Sequence, residues 1–453
     1  MIDNSKIEDI LITPCNQSKI QEILDKSKKL QRLTLEEVAT LLNVEDSENI
    51  NKIFQAAHQV KEDIYGKRLV IFAPLYISNL CQNECLYCAF RSSNKDIVRK
   101  VLTQEEIKNE TEQLLKTGQK RVLLVAGETY PQEGFDYILK SIATIYSAKD
   151  GKNQIRRLNV NLAPLEIPEF KLLKEAKIGT YQLFQETYHK PTYQKVHLKG
   201  PKANYQYRLE TIGRAFQAGI DDVGMGILFG LYDYKYEVLA LLSHTEHLEK
   251  KFGMGPHTIS VPRLEPAVGS DISTHPPYPV DDLTFKKIIA ILRLAVPYTG
   301  MILSTRETPE IRRAAFDLGI SQISAGSKTN PGGYCDQTSA AQFSLGDHRS
   351  LDSVIYDILE KGYLPSFCTS CYRLGRTGLD FMEYAKPGDI KKKCLPNALF
   401  TFQEYLEDYA SPKTKALGVE IISKETSSLP IEIKEKAKIL LAKVKDNQRD
   451  LYI

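Results

Sequence analysis

The sequence predicts an α/β protein built on a full (βα)8 barrel of the TIM type, with a helical extension before it and a mainly helical module after it. Three observations predict this. From residue 69 onward short β-rich runs alternate with longer amphipathic stretches, the pattern of βα units around a parallel sheet, and eight such runs can be counted. Cys81, Cys85 and Cys88 follow the first run, where a barrel of this kind places its active-site loops. Near residue 366 the alternation stops, and a tail with three more cysteines begins.

Taken in order, residues 1–13 carry acids and lack the basic-then-apolar order of an export signal. Residues 18–68 read as helical: Ile20, Ile23 and Leu24, then Leu33, Val38, Leu41 and Leu42, recur at helix spacing, and Thr34 with Glu37 forms a capping box. The predicted strands are 70–77, 121–126, 158–163, 180–184, 222–227, 258–261, 301–305 and 320–325, with helices between them such as 103–115, 168–176, 207–218, 282–294 and 309–318. Residues 253–279, rich in Pro, Gly, His and Ser, read as a shaped loop around the sixth strand. Helices are expected again at 399–409 and 431–443. The predicted division is 1–68 for the helical extension, 69–365 for the barrel and 366–453 for a C-terminal iron–sulfur module.

Composition narrows the function. The 60 basic and 57 acidic residues leave a net charge of +3, with no block of like charge beyond 391–393, so nothing calls for nucleic acid. The apolar stretch 288–296 is interrupted by Arg293 and too short to span a bilayer, so a soluble cytoplasmic protein with no membrane partner is expected. Six of the eight cysteines fall in two tight groups, which points to metal sites in a reducing compartment and not to a disulfide framework. Cys15 and Cys335 stand apart and read as ordinary buried or loop residues.

Three thiolates spaced CxxxCxxC, as Cys81, Cys85 and Cys88 are, suit three irons of a 4Fe–4S cluster and leave the fourth open for another ligand. The competing reading is a zinc site, for which His189 or His197 would have to supply a fourth ligand from a distance. Cys368, Cys371 and Cys394, spaced CxxCx22C, read either as an incomplete zinc ribbon or as a second 4Fe–4S cluster with one open iron. Two incomplete clusters argue for chemistry at both, because an electron carrier usually saturates its irons with cysteine.

CxxxCxxC after a first barrel strand resembles the signature of the radical S-adenosylmethionine (SAM) enzymes. The tail motif, and the phrases Tyr-Gln-Leu-Phe-Gln-Glu-Thr-Tyr-His at 181–189, Pro-His-Thr-Ile-Ser-Val-Pro-Arg at 256–263 and Leu-Ser-Thr-Arg-Glu at 303–307, resemble the tyrosine lyases of that superfamily that mature iron-only hydrogenases. In that family SAM chelates the open iron of the first cluster, and an electron delivered into its sulfonium releases methionine and a 5'-deoxyadenosyl radical. The resemblance implies SAM-binding roles for Glu128, in Ala-Gly-Glu where the family has Gly-Gly-Glu, for Glu186 on the ribose, for Arg208 on the carboxylate and for Tyr87 against adenine. An Arg fork matches a carboxylate bidentately. Arg306 at the end of the seventh strand, assisted by Ser324 of the eighth, is expected to hold the substrate carboxylate. His257 is the position that in the family ligates an extra iron, attached to the second cluster through free cysteine; imidazole suits iron.

The resemblance implies that L-tyrosine is cleaved at Cα–Cβ to p-cresol and dehydroglycine, and that the latter becomes carbon monoxide and cyanide at the second cluster, giving an iron–dicarbonyl–cyanide unit. A reductant protein such as a ferredoxin or flavodoxin, and other hydrogenase maturation proteins, are the implied partners. Two rivals stay open: a radical SAM tyrosine lyase of thiamine synthesis (2-iminoacetate synthase), and a non-catalytic iron–sulfur scaffold or carrier. The tail cysteines speak against the first, and Glu128 and Arg208 against the second.

Overall fold

The structure, a computed structural model, describes residues 2–12, 17–336 and 340–453; Cys15 lies outside them. Eight strands close on themselves: β1 (Arg68–Ser78), β2 (Arg121–Ala126), β3 (Arg157–Asn161), β4 (Tyr181–Glu186), β5 (Val223–Ile227), β6 (Thr258–Ser260), β7 (Gly300–Leu303) and β8 (Gln322–Ser324). Neighbours run parallel, and closure comes from β8 against β1, with Val70 opposite Gln322 and Phe72 opposite Ser324. The predicted barrel is therefore the observed one. Every residue of β1 is buried, because a parallel strand has the lumen on one side and helices on the other.

Side chains alternate between lumen and helix layer. Val70, Arg121 and Gln322 point into a cavity at the N-terminal mouth, and Phe72, Leu123 and Ser324, two residues further along the same strands, into a cavity at the C-terminal mouth. Between the mouths, Gln182, Gly224 and Thr258 stand side by side across β4, β5 and β6. A Cβ on Gly224 would lie 2.7 Å from Thr258 Oγ1 and 2.8 Å from Gln182 Cγ, so any side chain there takes space from the lumen.

The N-terminal helices are Asn4–Ile12, Ile20–Lys28, Leu35–Leu42 and Ser47–Tyr65. The Thr34 capping box forms: its hydroxyl accepts from Glu37 N at 3.3 Å, and its own N–H donates to Glu37 Oε2 at 2.7 Å. Ser47–Tyr65 presents Ile50, Ile53, Ala57, Val60 and Ile64 to barrel helices Asp282–Ala295 and Pro309–Leu318. Each such Ile or Val side chain, when buried, contributes roughly 1.5–3 kcal/mol, so the extension adds to the barrel's core. Helix Asn4–Ile12, unpredicted, packs Ile7 and Ile10 near helix Tyr234–Phe252, and Tyr236 Oη donates to Asn4 at 2.7 Å. The stretch expected as one helix at 207–218 is two, Tyr205–Leu209 and Thr211–Gln217, broken at Glu210.

A ninth strand, β9 (Leu364–Ser366), joins the lower end of β1 on the edge that β2 takes over from Ala73 onward. Three residues including Pro365 leave no strand signal to read. β9 delivers the chain to Cys368 beneath the barrel. Helix Ile390–Asp408 carries Cys394 and docks on the barrel's underside through the buried Glu404, which accepts from Lys120 and, at 2.8 Å, from Arg156, residues just ahead of β2 and β3. Removing one partner from such a buried pair costs about 3–5 kcal/mol. Among the described residues no helix is long and apolar enough to cross a membrane.

Candidate active site

The chain leaving β1 forms the first cysteine loop, and its shape is fixed by groups outside the motif. The Arg99 guanidinium donates to the carbonyls of Asn79, Phe90, Arg91 and Asn94 at 2.9, 2.8, 2.5 and 3.2 Å. The Glu84 carboxylate accepts from Ser92 Oγ, Ser93 N and Ser93 Oγ at 2.8, 2.9 and 2.6 Å. Cys81, Cys85 and Cys88 then line one cavity of about 190 Å³ at the C-terminal mouth. Burial pushes the Cys81 thiol up to about 11, with Glu128 adding to the effect, and raises Cys85 and Cys88 as well. Three neighbouring thiols in such surroundings ionise when a cation shares their charge, which is what the irons of a cluster supply.

The histidines that a zinc site at this triad would need are engaged elsewhere. Among the described residues no three His, Cys, Asp or Glu side chains converge as ligands of one ion. His197 uses one ring nitrogen on Tyr87 Oη at 2.8 Å and the other on the Tyr193 carbonyl at 2.9 Å. His189 bonds Thr192 and stacks on Tyr232. Neither supplies a fourth ligand.

One wall of this cavity gathers the residues expected to bind SAM. Arg208 Nη1 donates to Glu128 Oε1 at 3.0 Å, and its Nη2 lies 3.7 Å from Glu186 Oε1. Lys202, which sequence reasoning missed, donates to Glu186 Oε1 at 2.7 Å and lies 3.8 Å from Glu128. Asn83, inside the cysteine motif, donates to Glu128 Oε2 at 2.8 Å and accepts from Lys202 N at 2.9 Å. Burial pushes the Glu128 carboxyl up, but Arg208 and Lys202 outweigh it and hold the group below its ordinary value. Tyr87 lines the same cavity, its hydroxyl tied to His197.

The departure from Gly-Gly-Glu falls at Ala126, the last residue of β2, where a methyl group is accommodated. The glycine that matters is Gly127: a Cβ there would lie 2.1 Å from the Leu80 carbonyl oxygen, against the cysteine loop. Glu186 stands out differently. Its φ is +70°, left-handed for a non-glycine residue, and the β4–β5 register shifts there. Glu237, buried on helix Tyr234–Phe252, clamps the next two residues, accepting from Thr187 Oγ1 and, at 2.7 Å, from Tyr188 N.

The opposite wall carries Arg306 and Ser324. Arg306 lies over the Phe343 ring at 3.3 Å, and among the described residues no carboxylate pairs with it; the neighbouring Glu307 is taken by Arg263. The Ser324 hydroxyl accepts from Thr305 N at 3.1 Å.

At the N-terminal mouth, a smaller cavity of about 60 Å³ is lined by Cys368, Cys371, Cys394 and His257 together, with Arg68, Arg121 and Arg376. Arg121 Nη1 donates to the Cys368 carbonyl at 2.8 Å. Cys371 and Cys394 share a hydrogen bond; Cys371 is driven up, and Cys394 is held below the usual thiol value by that bond and by Arg68, Arg376 and Arg121. Burial, and then Arg121 and Arg157, keep the His257 imidazole below its ordinary value against the pull of Asp222, and so neutral, the form that binds metal. Every cysteine and histidine expected in the second centre is thus gathered here, while Cys335 is exposed and lines neither cavity.

Comparison with known proteins agrees with this geometry. Residues 75–243 match the Radical SAM superfamily, and residues 260–364 the Biotin and Thiamin Synthesis associated domain. The chain is 33% identical over 344 residues to 2-iminoacetate synthase of Escherichia coli, covering 76% of this chain and 89% of that protein. It matches the crystal structure of HydG, a maturase of the FeFe-hydrogenase, with a TM-score of 0.96 and 49% identity over 100% of this chain and 99% of that one. The HydG maturase of Carboxydothermus hydrogenoformans matches at a TM-score of 0.85 with 42% identity, over 97% of each chain. A radical SAM barrel with a cysteine triad at each mouth, matched along its full length by these structures, belongs to the HydG family of hydrogenase maturases.

Proposed function

We propose that the protein cleaves the Cα–Cβ bond of L-tyrosine, giving p-cresol and dehydroglycine, and that the second product is converted to carbon monoxide and cyanide at the tail cysteines for assembly of an iron–dicarbonyl–cyanide unit. The observation that carries this reading is that the two triads line cavities at opposite ends of one barrel lumen. A 4Fe–4S cluster on Cys81, Cys85 and Cys88 with SAM bound supplies one-electron cleavage of the sulfonium, and with it a radical able to take a hydrogen atom from the substrate amino group.

The chain's own residues do the holding. Glu128 accepts from the amino group of SAM, Arg208 faces its carboxylate, Glu186 takes the ribose hydroxyls and Tyr87 lies against adenine. Arg306, with no internal carboxylate, takes the substrate carboxylate bidentately, and Ser324 assists. At the other mouth Cys368, Cys371 and Cys394 would hold a second 4Fe–4S cluster, and the neutral His257 imidazole would be the ligand offered to an extra iron carried with free cysteine. A ferredoxin or flavodoxin is the proposed electron donor, other hydrogenase maturation proteins the recipients, and the cytoplasm the compartment.

The similarity to 2-iminoacetate synthase favours one alternative, a lyase that stops at the first half of this chemistry. Anaerobic incubation with SAM, dithionite and tyrosine separates the two. p-Cresol with carbon monoxide and cyanide supports the proposal, p-cresol alone supports the alternative, and SAM cleavage without p-cresol overturns both.

A further inference from the structure

The two walls of the upper cavity differ in how their charges are used. On the SAM wall, Glu128 and Glu186 are matched by Arg208 and Lys202. On the wall built by the chain leaving β6, β7 and β8, the matching is incomplete. Arg263 is spent on Glu307, on Asp282 at 2.9 Å and on the Val280 carbonyl at 2.9 Å. That leaves one cation and one anion facing the cavity, Arg306 and Glu265. Among the described residues no ion pair reaches either, and no hydrogen bond reaches the Glu265 carboxylate. Ser327 lines the same cavity, 6% exposed, and its hydroxyl has no partner.

Arg306 has a long contact to the Arg263 carbonyl at 3.5 Å and the Phe343 ring, and no carboxylate, so a half-buried acid and a partly buried guanidinium share one cavity without an ionic partner, which is costly unless a ligand completes them. The ligand must carry both signs within one small head group, as an α-amino acid does. We infer that Glu265 holds the α-ammonium group of the amino-acid substrate opposite Arg306, with the Ser327 hydroxyl as the neutral donor of the same seat. The inference rests on the proposed tyrosine reading and adds to it the group that selects for an amine. Burial and Glu307 push the Glu265 carboxyl up to about 7, against Arg306 and Arg263, so its charge, and with it its hold on the ammonium group, changes within the working pH range.

The test is anaerobic calorimetry on the cluster-loaded protein with SAM present, titrating L-tyrosine, 3-(4-hydroxyphenyl)propionate, which lacks the amine, and tyramine, which lacks the carboxylate. The wild type is expected to prefer tyrosine over the propionate by roughly tenfold or more, the usual scale when a buried charge loses its partner. Glu265→Gln is expected to erase that preference while keeping its affinity for SAM, and Glu265→Asp to restore part of it. Arg306→Gln is expected to weaken tyrosine and the propionate together and to spare tyramine. A wild-type tyrosine-to-propionate ratio preserved in Glu265→Gln overturns the Glu265 assignment alone. A wild type that binds none of the three compounds overturns the tyrosine reading and the assignment with it.

Discussion

The two mouths of the barrel each hold three cysteines, yet one is charge-balanced and the other is cationic. At the C-terminal mouth the cations Lys202 and Arg208 are consumed by Glu128 and Glu186, so the thiols feel mainly burial and all three are pushed up. At the N-terminal mouth Arg68, Arg121 and Arg376 surround the thiols and the Nε of each lacks a hydrogen-bond partner; Cys371 is driven up there, while Cys394 is held down, first by its hydrogen bond to Cys371 and then by the three arginines. A charge-balanced mouth suits a zwitterionic ligand such as SAM. A cationic one suits anions: thiolates, and a product as small as cyanide.

If the difference means a division of labour, removing one cysteine at each end must have different consequences. Cys85→Ser is expected to abolish p-cresol, cyanide and carbon monoxide together, to the background of the assays. Cys394→Ser is expected to leave p-cresol within about threefold of wild type while carbon monoxide falls to background and cyanide declines, because only the later step is lost. Equal loss of p-cresol in both variants would show that the two mouths do not divide the chemistry. Gly224→Val tests the link between the mouths. With its side chain crowding Thr258 and Gln182, the expected result is near-normal p-cresol and carbon monoxide down by roughly tenfold, on the scale of steric effects on positioning. Unchanged carbon monoxide output would mean that the fragment takes another route.

The barrel was legible because strand and helix periods differ and alternated eight times, and the cysteines because their spacing is itself the signal. The tail's place beneath the barrel was not: it depends on the three-residue β9 and on Glu404 meeting Lys120, 284 residues away in sequence. Sequence reasoning found Glu128, Glu186 and Arg208, which the fold brings together, but missed Lys202 and Glu265, ordinary charged residues whose meaning lies in which neighbours are already paired. Nor does any local pattern mark Glu237, whose partner Thr187 is 50 residues away.

At the C-terminal mouth, Glu237 restrains the backbone that follows Glu186. The left-handed backbone at Glu186 costs of order 1–3 kcal/mol and persists because the surroundings over-determine it. The Glu237 carboxylate, accepting from Thr187 and Tyr188, is the nearest part of that restraint. Glu237→Ala is expected to weaken SAM binding by roughly tenfold, equivalent to about 1.4 kcal/mol, while the Cys368–Cys371–Cys394 centre keeps its spectroscopic signature. Loss of SAM binding and of that signature together would point to a general folding defect, and unchanged SAM affinity would show that Glu186 needs no such clamp.

The smallest expected effect is a pH dependence confined to the C-terminal mouth. With the Glu265 carboxyl pushed up to about 7 by burial and by Glu307, and pulled down less by Arg306 and Arg263, its charge changes within the working range. A carboxyl raised in this way is neutral below that value and charged above it, so its attraction for an ammonium group is lost as pH falls through about 7. Between pH about 7.5 and about 6.5 the ionised fraction drops roughly threefold, and the affinity for tyrosine is expected to fall by the same factor. The propionate lacking the amine is expected to show no such decline, and Glu265→Gln to flatten the tyrosine profile. A wild-type profile that is already flat, or one that Glu265→Gln leaves sloping, would assign the ammonium group to another acceptor.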